Sequence, residues 1–423
     1  MLLLSNQSIA VLVFGITYLL LIVNRDRALI FVWGASIILL ALRVISPLDA
    51  WQALNWNVLG ILFGTMVLAE FFVLSGAPAY MATRMVNATG SATFALLAIT
   101  AFAGFLSAFI ENVATVFIVA PLAIETARRI KVSPVPVLLA VAVSANLQGV
   151  STMIGDSPSI LLATAARMTF MDFFFMNGRL GIFFAVQIGG IAAAAILWFI
   201  FRGARGKISK REAPKVATWT PTMLIVFLVI ALASSSFIPN RPETLPGLVT
   251  TIFGVLALAW NHRRKLFQME LAKLDWQTFF LLAGLFVLIS SLTVSGAVAS
   301  VANLMTEFAG ASVLTAYILI IVASVVISAF VDNIPYTIAM LPVSQLIAER
   351  MGVNPLLFMF ALVLSTSLGG NITPIGASAN VVAVGVLKRQ GYKVSFMEFF
   401  KIGFPVTIAA VTLGTMFLWF TWR

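Results

Sequence analysis

Apolar runs separated by short polar segments follow one another along almost the whole chain, and they restrict its fold more than any other feature. A helix needs roughly 20 apolar residues to cross a bilayer, which is close to the length of most of these runs. Only 10% of the residues are charged, against about 25% in soluble domains, so the chain lacks the polar surface of a soluble protein. We therefore expect an all-α polytopic membrane protein, because helices satisfy their own backbone hydrogen bonds in lipid. The runs are 9–23, 28–46, 56–75, 92–128, 135–167, 178–201, 220–238, 246–260, 277–294, 312–349, 355–388 and 401–421.

Missing residue types exclude several classes of protein. The sequence has no cysteine, which rules out disulfides, thiolate metal sites and a cysteine nucleophile. The single histidine, His262, lies in a polar stretch beside Arg263 and Arg264, so histidine-based metal or triad chemistry is excluded as well. No Walker loop is present. We therefore predict no enzyme activity, no cofactor, and no metal beyond Na⁺ as a coupling ion, with H⁺ as the alternative.

Four runs are too long for one crossing, namely 92–128, 135–167, 312–349 and 355–388. A helix of about 33 to 38 residues would be roughly 50–57 Å long, whereas the hydrocarbon core is about 30 Å thick. Basic residues flank run 92–128 on both sides, at Arg84 and at Arg128, which predicts a hairpin that leaves and returns on one side. The same alternation predicts a hairpin from the opposite side over 312–349, and interrupted single crossings over the other two runs.

The basic residues lie in short clusters between apolar runs, so the net charge of +11 does not indicate a nucleic-acid partner. Ten crossings and two re-entrant hairpins place most of the 26 Lys and Arg residues on the cytoplasmic side, as the positive-inside rule expects. Both termini then lie on the outer side of what we expect to be a bacterial inner membrane. Charge alone leaves open whether each hairpin stops halfway or crosses twice.

The two halves of the sequence repeat. Leu54-Asn-Trp56 matches Leu274-Asp-Trp276, and Ser107-Ala-Phe-Ile-Glu-Asn112 matches Ser328-Ala-Phe-Val-Asp-Asn333. An odd number of crossings in each half turns the second half upside down, and such inverted-topology repeats are typical of secondary transporters. The predicted first repeat is 1–201, the basic cytoplasmic linker is 202–218, and the second repeat is 219–423.

Four carboxylates lie inside apolar runs, where an ionisable side chain costs about 2.5–3.5 kcal/mol and indicates a functional site. They are Glu70, Glu111, Asp156 and Asp332. Asp156 corresponds to Ala377 in the second half, which predicts an asymmetric role as a proton or cation site. Glu70 corresponds to Ser290 and lies near a predicted cytoplasmic end, where it could equally reach the interface or pair with Arg84. We predict that all four take part in proton coupling.

The centres of the two hairpins carry an acid followed by an amide. Glu111-Asn112 and Asp332-Asn333 offer oxygen ligands and a protonatable group, and Thr115 adds a hydroxyl. The alternative interpretation is helix capping, in which the side chains accept hydrogen bonds from free backbone N–H groups. Because a buried cap needs no charge, we favour an ion-binding function.

Glycine and polar residues interrupt the two other long runs. Glycines permit unwinding, and unwound carbonyls bind cations while half-helix N-termini bind anions. The alternative is a kink whose backbone groups are satisfied by neighbouring helices. The predicted binding residues of the first break are Asn146, Gly149, Ser151, Thr152, Gly155 and Asp156. Those of the second break are Gly370, Asn371, Thr373, Gly376, Ser378 and Asn380.

These motifs resemble those of the ArsB/NhaD permeases of the ion transporter superfamily, especially the branch similar to the P protein. The similar segments are Val331-Asp-Asn-Ile-Pro-Tyr-Thr337, Ile375-Gly-Ala-Ser-Ala-Asn-Val-Val382 followed by Ser395-Phe-Met-Glu-Phe-Phe400, and Ile154-Gly-Asp-Ser-Pro158. The superfamily also contains citrate and dicarboxylate carriers. The resemblance implies half-membrane hairpins, broken helices, a homodimer, and substrate binding by Asn112, Asn333 and the two breaks.

The sequence departs from the family pattern in the first half. The first hairpin has Glu111-Asn112 where Asp-Asn is common, and Gly155-Asp-Ser-Pro-Ser159 replaces Gly-Asp-Pro-Pro-Asn. Both changes fall in the first half of the predicted site. The substrate of a relative therefore does not transfer directly to this chain.

The residues favour a secondary active transporter that moves a small inorganic ion in exchange or cotransport with protons or Na⁺. An arsenite or other anion efflux permease and a dicarboxylate or citrate symporter are the alternatives, and a passive channel is a weaker one. A multiply charged carboxylate substrate would be repelled by the buried carboxylates unless a cation accompanied it. The expected partners are the lipid bilayer and a second copy of the chain. A separate ATPase subunit is compatible with arsenite efflux, although no residue indicates it.

Overall fold

The computed structural model of the chain describes residues 5–24, 27–204, 210–267, 271–310 and 312–423. These residues form nineteen α-helices, three single-turn 3-10 helices and one two-stranded hairpin. The helices are α1 Asn6–Val23, α2 Ala28–Ala41, α3 Pro47–Ala53, α4 Trp56–Leu74, α5 Ala77–Asn87, α6 Ala92–Ser107, α7 Asn112–Arg129, α8 Pro134–Gly149, α9 Ser157–Ala165, α10 Ile182–Phe201, α11 Thr220–Ser235, α12 Leu245–Arg264, α13 Trp276–Val294, α14 Ala297–Ala309, α15 Val313–Ser328, α16 Asn333–Arg350, α17 Pro355–Gly369, α18 Ser378–Arg389 and α19 Phe396–Trp422. The strands are β1 Phe175–Met176 and β2 Arg179–Leu180, which pair antiparallel.

The order of elements in the first half recurs in the second. Helices α4 to α10 correspond one to one to α13 to α19, and α1 and α2 correspond to α11 and α12. Seven of the described helices are long and apolar enough to cross a membrane. The predicted all-α polytopic fold is therefore confirmed. The number of crossings and the opposite insertion of the two halves stay predictions.

All four long runs break where the sequence places acidic, amide or glycine residues. Run 92–128 folds into α6 and α7, and run 312–349 folds into α15 and α16, each pair joined by a four-residue turn. Run 135–167 splits into α8 and α9, and run 355–388 splits into α17 and α18. Pro134 and Pro355 occupy the first turns of α8 and α17, where their missing N–H groups cost no hydrogen bond.

Three short helices were not predicted from the apolar runs, namely α3, α5 and α14. Each has only one buried face and is too short to cross a membrane. Helices α5 and α14 follow the long helices α4 and α13 after sharp turns at Gly76 and Gly296. The φ angles of these glycines are 74° and 81°, a region that glycine adopts without strain. An amphipathic helix of this length gives no continuous apolar run, which explains the omission.

The first halves of the two broken helices, α8 and α17, are buried along almost their whole length, whereas α1 lies at the periphery. In α17 and the following turn, 89% of the residues are buried inside the protein, compared with 17% in α1. Helices α4 and α12 pack against each other through glycines, and a Cβ atom on Gly64 would lie 2.1 Å from the carbonyl oxygen of Thr250. The two breaks lie next to each other in the buried region, where Asn146 donates hydrogen bonds to Asn371 and Asn380.

The predicted linker, 202–218, lies partly outside the described residues, because 205–209 are not among them. Its described part docks on the first half. The Asn87 amide donates to the carbonyl oxygen of Arg211 at 2.6 Å and accepts from its N–H at 3.0 Å, and the Ala217 N–H donates to the Ser75 carbonyl at 3.0 Å. The Arg211 guanidinium also pairs with Glu125.

Candidate functional site

Four helix N-termini meet at one small central cavity of about 30 Å³. They belong to the second helix of each hairpin, α7 and α16, and to the second half of each broken helix, α9 and α18. The cavity is lined by Glu111, Asn112, Val113, Asn146, Asp156, Ser157, Pro158, Asp332, Asn333, Ile334, Ala377, Ser378 and Ala379. A single water needs roughly 10–15 Å³, so this cavity holds one or two water-sized species and is far too small for a tricarboxylate.

Carboxylates cap three of these four helices. Glu111 accepts a hydrogen bond from the Val113 N–H at 2.9 Å, and Asp332 accepts one from the Ile334 N–H at 3.2 Å. Asp156 accepts one from the Ser159 N–H at 2.9 Å. Helix α18 has Ala377 at the equivalent position and no side-chain cap. Each acid thus caps a helix, as the alternative interpretation expects. Capping alone does not explain why acids occupy these buried positions, because an uncharged side chain can also cap a helix.

With its three carboxylates ionised, the cavity is negative. Each helix N-terminus carries roughly half a positive charge, so four of them offset about two of the three carboxylate charges. None of the described residues that line the cavity is Lys or Arg. The balance of about one negative charge suits a bound cation or proton better than an anion.

The hairpin tips fix their amides in the same way in both halves. The Ser107 hydroxyl donates to Asn112 Oδ1 at 2.5 Å, and the equivalent Ser328 hydroxyl donates to Asn333 Oδ1 at 2.7 Å. These amides are buried, with 7% and 6% of their surfaces exposed. Each tip therefore holds its amide in one orientation beside the cavity.

Each break is also attached to its hairpin by equivalent contacts. The hydroxyl of Thr152 donates to the Ala108 carbonyl, and that of Thr373 donates to the Ala329 carbonyl. A Cβ atom on Gly149 would lie 2.4 Å from Asn112 Oδ1, and one on Gly370 would lie 2.7 Å from Asn333 Oδ1. The glycines at these points are therefore required for the close approach of break and tip.

Buried amides connect the two halves. Asn146 Nδ2 donates to Asn371 Oδ1 at 2.7 Å and to Asn380 Oδ1 at 3.0 Å, while Asn146 Oδ1 accepts from Asn112 Nδ2 at 3.2 Å. The Ser367 hydroxyl reaches Asp156 Oδ2 at 3.5 Å. The first tip and both breaks thus form one continuous polar network, and Asp156 is joined to α17 through Ser367.

A second cavity of about 280 Å³ continues from the central one, and we call it the Asp275 vestibule. It shares Glu111 and Asp332 with the central cavity, and Asp275, at the N-terminus of α13, also lines it. The Ser378 hydroxyl donates to Asp332 Oδ2 at 2.7 Å within the shared part. This vestibule makes the central carboxylates accessible from one side of the molecule.

The structure brings most of the predicted site residues together. Those that line the central cavity are Glu111, Asn112, Asn146, Asp156, Asp332, Asn333 and Ser378. Those that support it from the adjoining turns and network are Gly149, Thr152, Gly155, Gly370, Asn371, Thr373, Gly376 and Asn380.

Three predicted residues lie apart from the cavity. The Ser151 hydroxyl donates to the Gln148 carbonyl, and the Thr115 hydroxyl donates to the Ile110 carbonyl, so both hydroxyls bind backbone rather than the cavity. Glu70 lies one turn before the end of α4 and is not among the described residues around the central cavity. Its salt bridge with Arg84 is likewise not found among the described residues.

Sequence reasoning missed five polar residues of the site, namely Ser107, Ser157, Ser328, Ser367 and Asp275. The two hairpin serines stand in the repeated motif that was recognised, so their recurrence was an available signal. Asp275 was recognised only as part of the Leu274-Asp-Trp276 match. No local pattern indicates that the N-terminus of α13 faces the hairpin tips.

Comparisons with known proteins agree with this architecture. The sequence model of the CitMHS family, described as citrate transporter, matches residues 17–348 and 339–423. An uncharacterized transporter of Mycobacterium tuberculosis is 29% identical over 429 residues, which cover 97% of this chain and 98% of the relative. The P protein of Mus musculus is 26% identical over 497 residues, which cover 96% of this chain and 59% of the P protein.

One solved structure shares the fold. The YdaH transporter of Alcanivorax borkumensis superimposes with a TM-score of 0.56 over 85% of this chain and 84% of that chain, at 15% sequence identity. At this identity the likeness shows the fold alone. The resemblance to the ion transporter superfamily, including the P-protein branch, is confirmed by the family and sequence matches. Since the family match spans nearly the whole chain, the protein is an integral membrane transporter that belongs to the CitMHS citrate transporter family.

Proposed function

We propose that the protein is a secondary active transporter that couples the movement of a small inorganic ion to protons or Na⁺. The observation that carries this proposal is the central cavity, where Glu111, Asp156 and Asp332 cap three converging helices. Carboxylates at such a place can hold either a proton or a cation, and mutually exclusive occupancy is the basis of exchange.

The recurrence of equivalent contacts in the two halves supports alternating access. Two equivalent half-sites meet at the cavity, and we propose that they belong to repeats inserted in opposite directions, 1–201 and 219–423, joined by the linker. Rocking of such repeats around a fixed site exposes it to each side in turn. A passive channel would instead need a continuous path through the molecule.

Cotransport of citrate with a cation is the second candidate, and the match to a family described as citrate transporters favours it. The uncapped N-terminus of α18 offers backbone N–H groups to an anion once a cation or protons have neutralised the carboxylates. This candidate requires the central cavity of about 30 Å³ to open into the vestibule, because citrate does not fit as it stands. Arsenite efflux would use the same protonatable carboxylates.

The first test is ion exchange in liposomes that contain a trapped pH dye. With an acid interior, external Na⁺ should cause an alkalinisation that depends on the protein and is lost in Asp332→Asn, which removes the charge of one cap. Glu398→Gln is a matched control, because Glu398 caps α19 in an exposed turn away from the cavity. Unchanged exchange in separate variants that neutralise Glu111, Asp156 and Asp332 would contradict the proposal.

The same assay separates the candidates. If Na⁺ has no effect, labelled citrate and arsenite uptake are measured next, with and without Na⁺ and a proton gradient.

We also propose a homodimer in the bacterial inner membrane with both termini on the outer side. Reagents that do not cross the membrane can test the termini through cysteines introduced at Ser5 and Arg423, since the chain has no cysteine of its own.

A further inference from the structure

The N-terminus of α4, the helix that corresponds to α13 in the repeat, also lies at a vestibule. This second cavity, of about 480 Å³, we call the Asn55 vestibule. Asn55 occupies the position 220 residues before Asp275, and each residue is the N-cap of the corresponding helix, α4 or α13. The repeat thus carries a carboxylate at one mouth and a neutral amide at the other.

The two vestibules contact α13 at different levels. On α13, the Asp275 vestibule is lined by Gln277, Thr278 and Leu281, whereas the Asn55 vestibule is lined by residues between Phe286 and Thr293. About eleven residues separate their midpoints, which corresponds to roughly 17 Å along the helix. Leu282 and Leu285 between them are completely buried. The vestibules are therefore separate cavities on either side of a packed layer.

Of the two vestibules, the Asp275 vestibule is the one whose described lining includes carboxylates of the central cavity, Glu111 and Asp332. Exposure falls along this path, from exposed Asp275 through half-buried Glu111 and Asp332 to Asp156, which is 2% exposed. None of the described residues that line this vestibule is Lys or Arg. In the Asn55 vestibule, by contrast, Arg167 pairs with Glu243 at 3.1 Å, and this pair has no net charge.

The inner end of the path carries a buried hydroxyl group. The Ser157 hydroxyl lines the central cavity, is 2% exposed, and has no hydrogen-bond partner among the described residues. Buried hydroxyls normally have such a partner. The path that starts at Asp275 therefore leads to an unsatisfied oxygen beside Asp156.

We propose that Asp275 is a cation-gathering residue, which raises the local concentration of the coupling cation at this mouth and so makes uptake asymmetric between the two sides. The inference rests on the proposed cation coupling. A carboxylate at the rim of a low-dielectric cavity focuses its field into that cavity and attracts cations, and salt screens the effect. Asn55 gives the opposite mouth no such field.

Substitution can distinguish a role of Asp275 in helix capping from a role of its charge. Asp275 accepts hydrogen bonds from the Thr278 N–H at 3.0 Å and from its hydroxyl at 2.6 Å. Asn55 caps α4 in the same manner, accepting from the Val58 N–H at 3.1 Å. Because Asn and Asp cap helices about equally well, Asp275→Asn keeps the bond from the Thr278 N–H. It removes the charge, together with the second oxygen that accepts from the Thr278 hydroxyl.

The transport test measures the Na⁺ dependence of exchange when Na⁺ is added on the Asp275 side. At low ionic strength, Asp275→Asn should raise the KM for Na⁺ about three- to tenfold with little change in the maximal rate, and the difference should shrink in high salt. Asp275→Glu should restore the KM, and Glu398→Gln should leave it unchanged. An unaltered KM, or a fall in the maximal rate alone, would overturn the proposal.

A second test does not depend on transport. A thiol introduced by Val381→Cys lies in the Asp275 vestibule, and one introduced by Thr293→Cys lies in the Asn55 vestibule. The measured quantity is the ratio of modification rates by a cationic and an anionic methanethiosulfonate reagent. The ratio cancels changes in the reactivity of the thiol itself.

Adding Asp275→Asn should lower this ratio about three- to tenfold at Val381→Cys and leave it unchanged at Thr293→Cys. Adding Asn55→Asp should raise it at Thr293→Cys. No change at Val381→Cys would refute the gathering role even in a protein that exchanges Na⁺ for protons. If the ratio falls as predicted but the protein does not exchange Na⁺ for protons, the result supports the gathering role of Asp275 and counts against the proposed function.

Discussion

At the scale of single residues, the buried amides do more than the sequence pattern reveals. Asn112 and Asn146 were predicted as site residues, and both lie at the central cavity. The sequence could not show that Asn146 binds Asn371 and Asn380 of the other half, because contacts between positions more than 200 residues apart leave no local pattern. One side chain thus connects the two half-sites.

Replacement of that side chain should destabilise the protein. Asn146→Leu removes two donated hydrogen bonds and one accepted bond, and leaves the partner amides unsatisfied in a buried site. We expect a loss of about 1–3 kcal/mol, seen as a lower Tm in detergent. The control is Thr366→Val, since the Thr366 hydroxyl is buried without a partner among the described residues. Equal Tm values for the two variants would argue against the network.

At the scale of elements, run length together with flanking charge predicted the two hairpins, and run length together with glycine content predicted the two interrupted helices. The helix ends fall close to the predicted polar residues, because acids and amides cap helices and proline starts them. The short helices α3, α5 and α14 escaped prediction because amphipathic segments of 7 to 13 residues lack a membrane-length apolar run. The tight contact of each break with its hairpin tip also depends on glycines whose neighbours are remote in sequence.

The close contact between break and tip predicts that alanine substitutions at two glycines differ strongly in their effects on stability and transport. Gly149→Ala would place a Cβ atom 2.4 Å from Asn112 Oδ1 and 3.1 Å from Asp156 Cβ, so the tip and the break must move apart. We expect a loss of about 1–3 kcal/mol in stability together with loss of transport. Gly385→Ala in α18 meets nothing within 4 Å and should gain up to about 1 kcal/mol from helix propensity. Similar Tm and transport for the two variants would refute the requirement for close approach.

At the scale of the whole molecule, the repeat visible in the sequence corresponds to two equivalent half-sites that meet at one cavity. The sequence could predict which residues belong to each half-site, whereas the two vestibules along α13 and their unequal charge appear only in the packed structure. The equivalent contacts make the two halves alike, and Asp156 and Asp275 make them different.

The central claim is that Glu111, Asp156 and Asp332 exchange protons for the coupling cation. The most direct test is to add Na⁺ to the purified protein in weakly buffered detergent solution and to measure proton release with a pH dye. The account predicts saturable release by the wild-type protein and its loss in a variant that combines Glu111→Gln, Asp156→Asn and Asp332→Asn. Verification that this variant folds is part of the measurement. Proton release of the same size from the folded variant would contradict the account. So would the absence of proton release from a wild-type protein that exchanges Na⁺ for protons in liposomes.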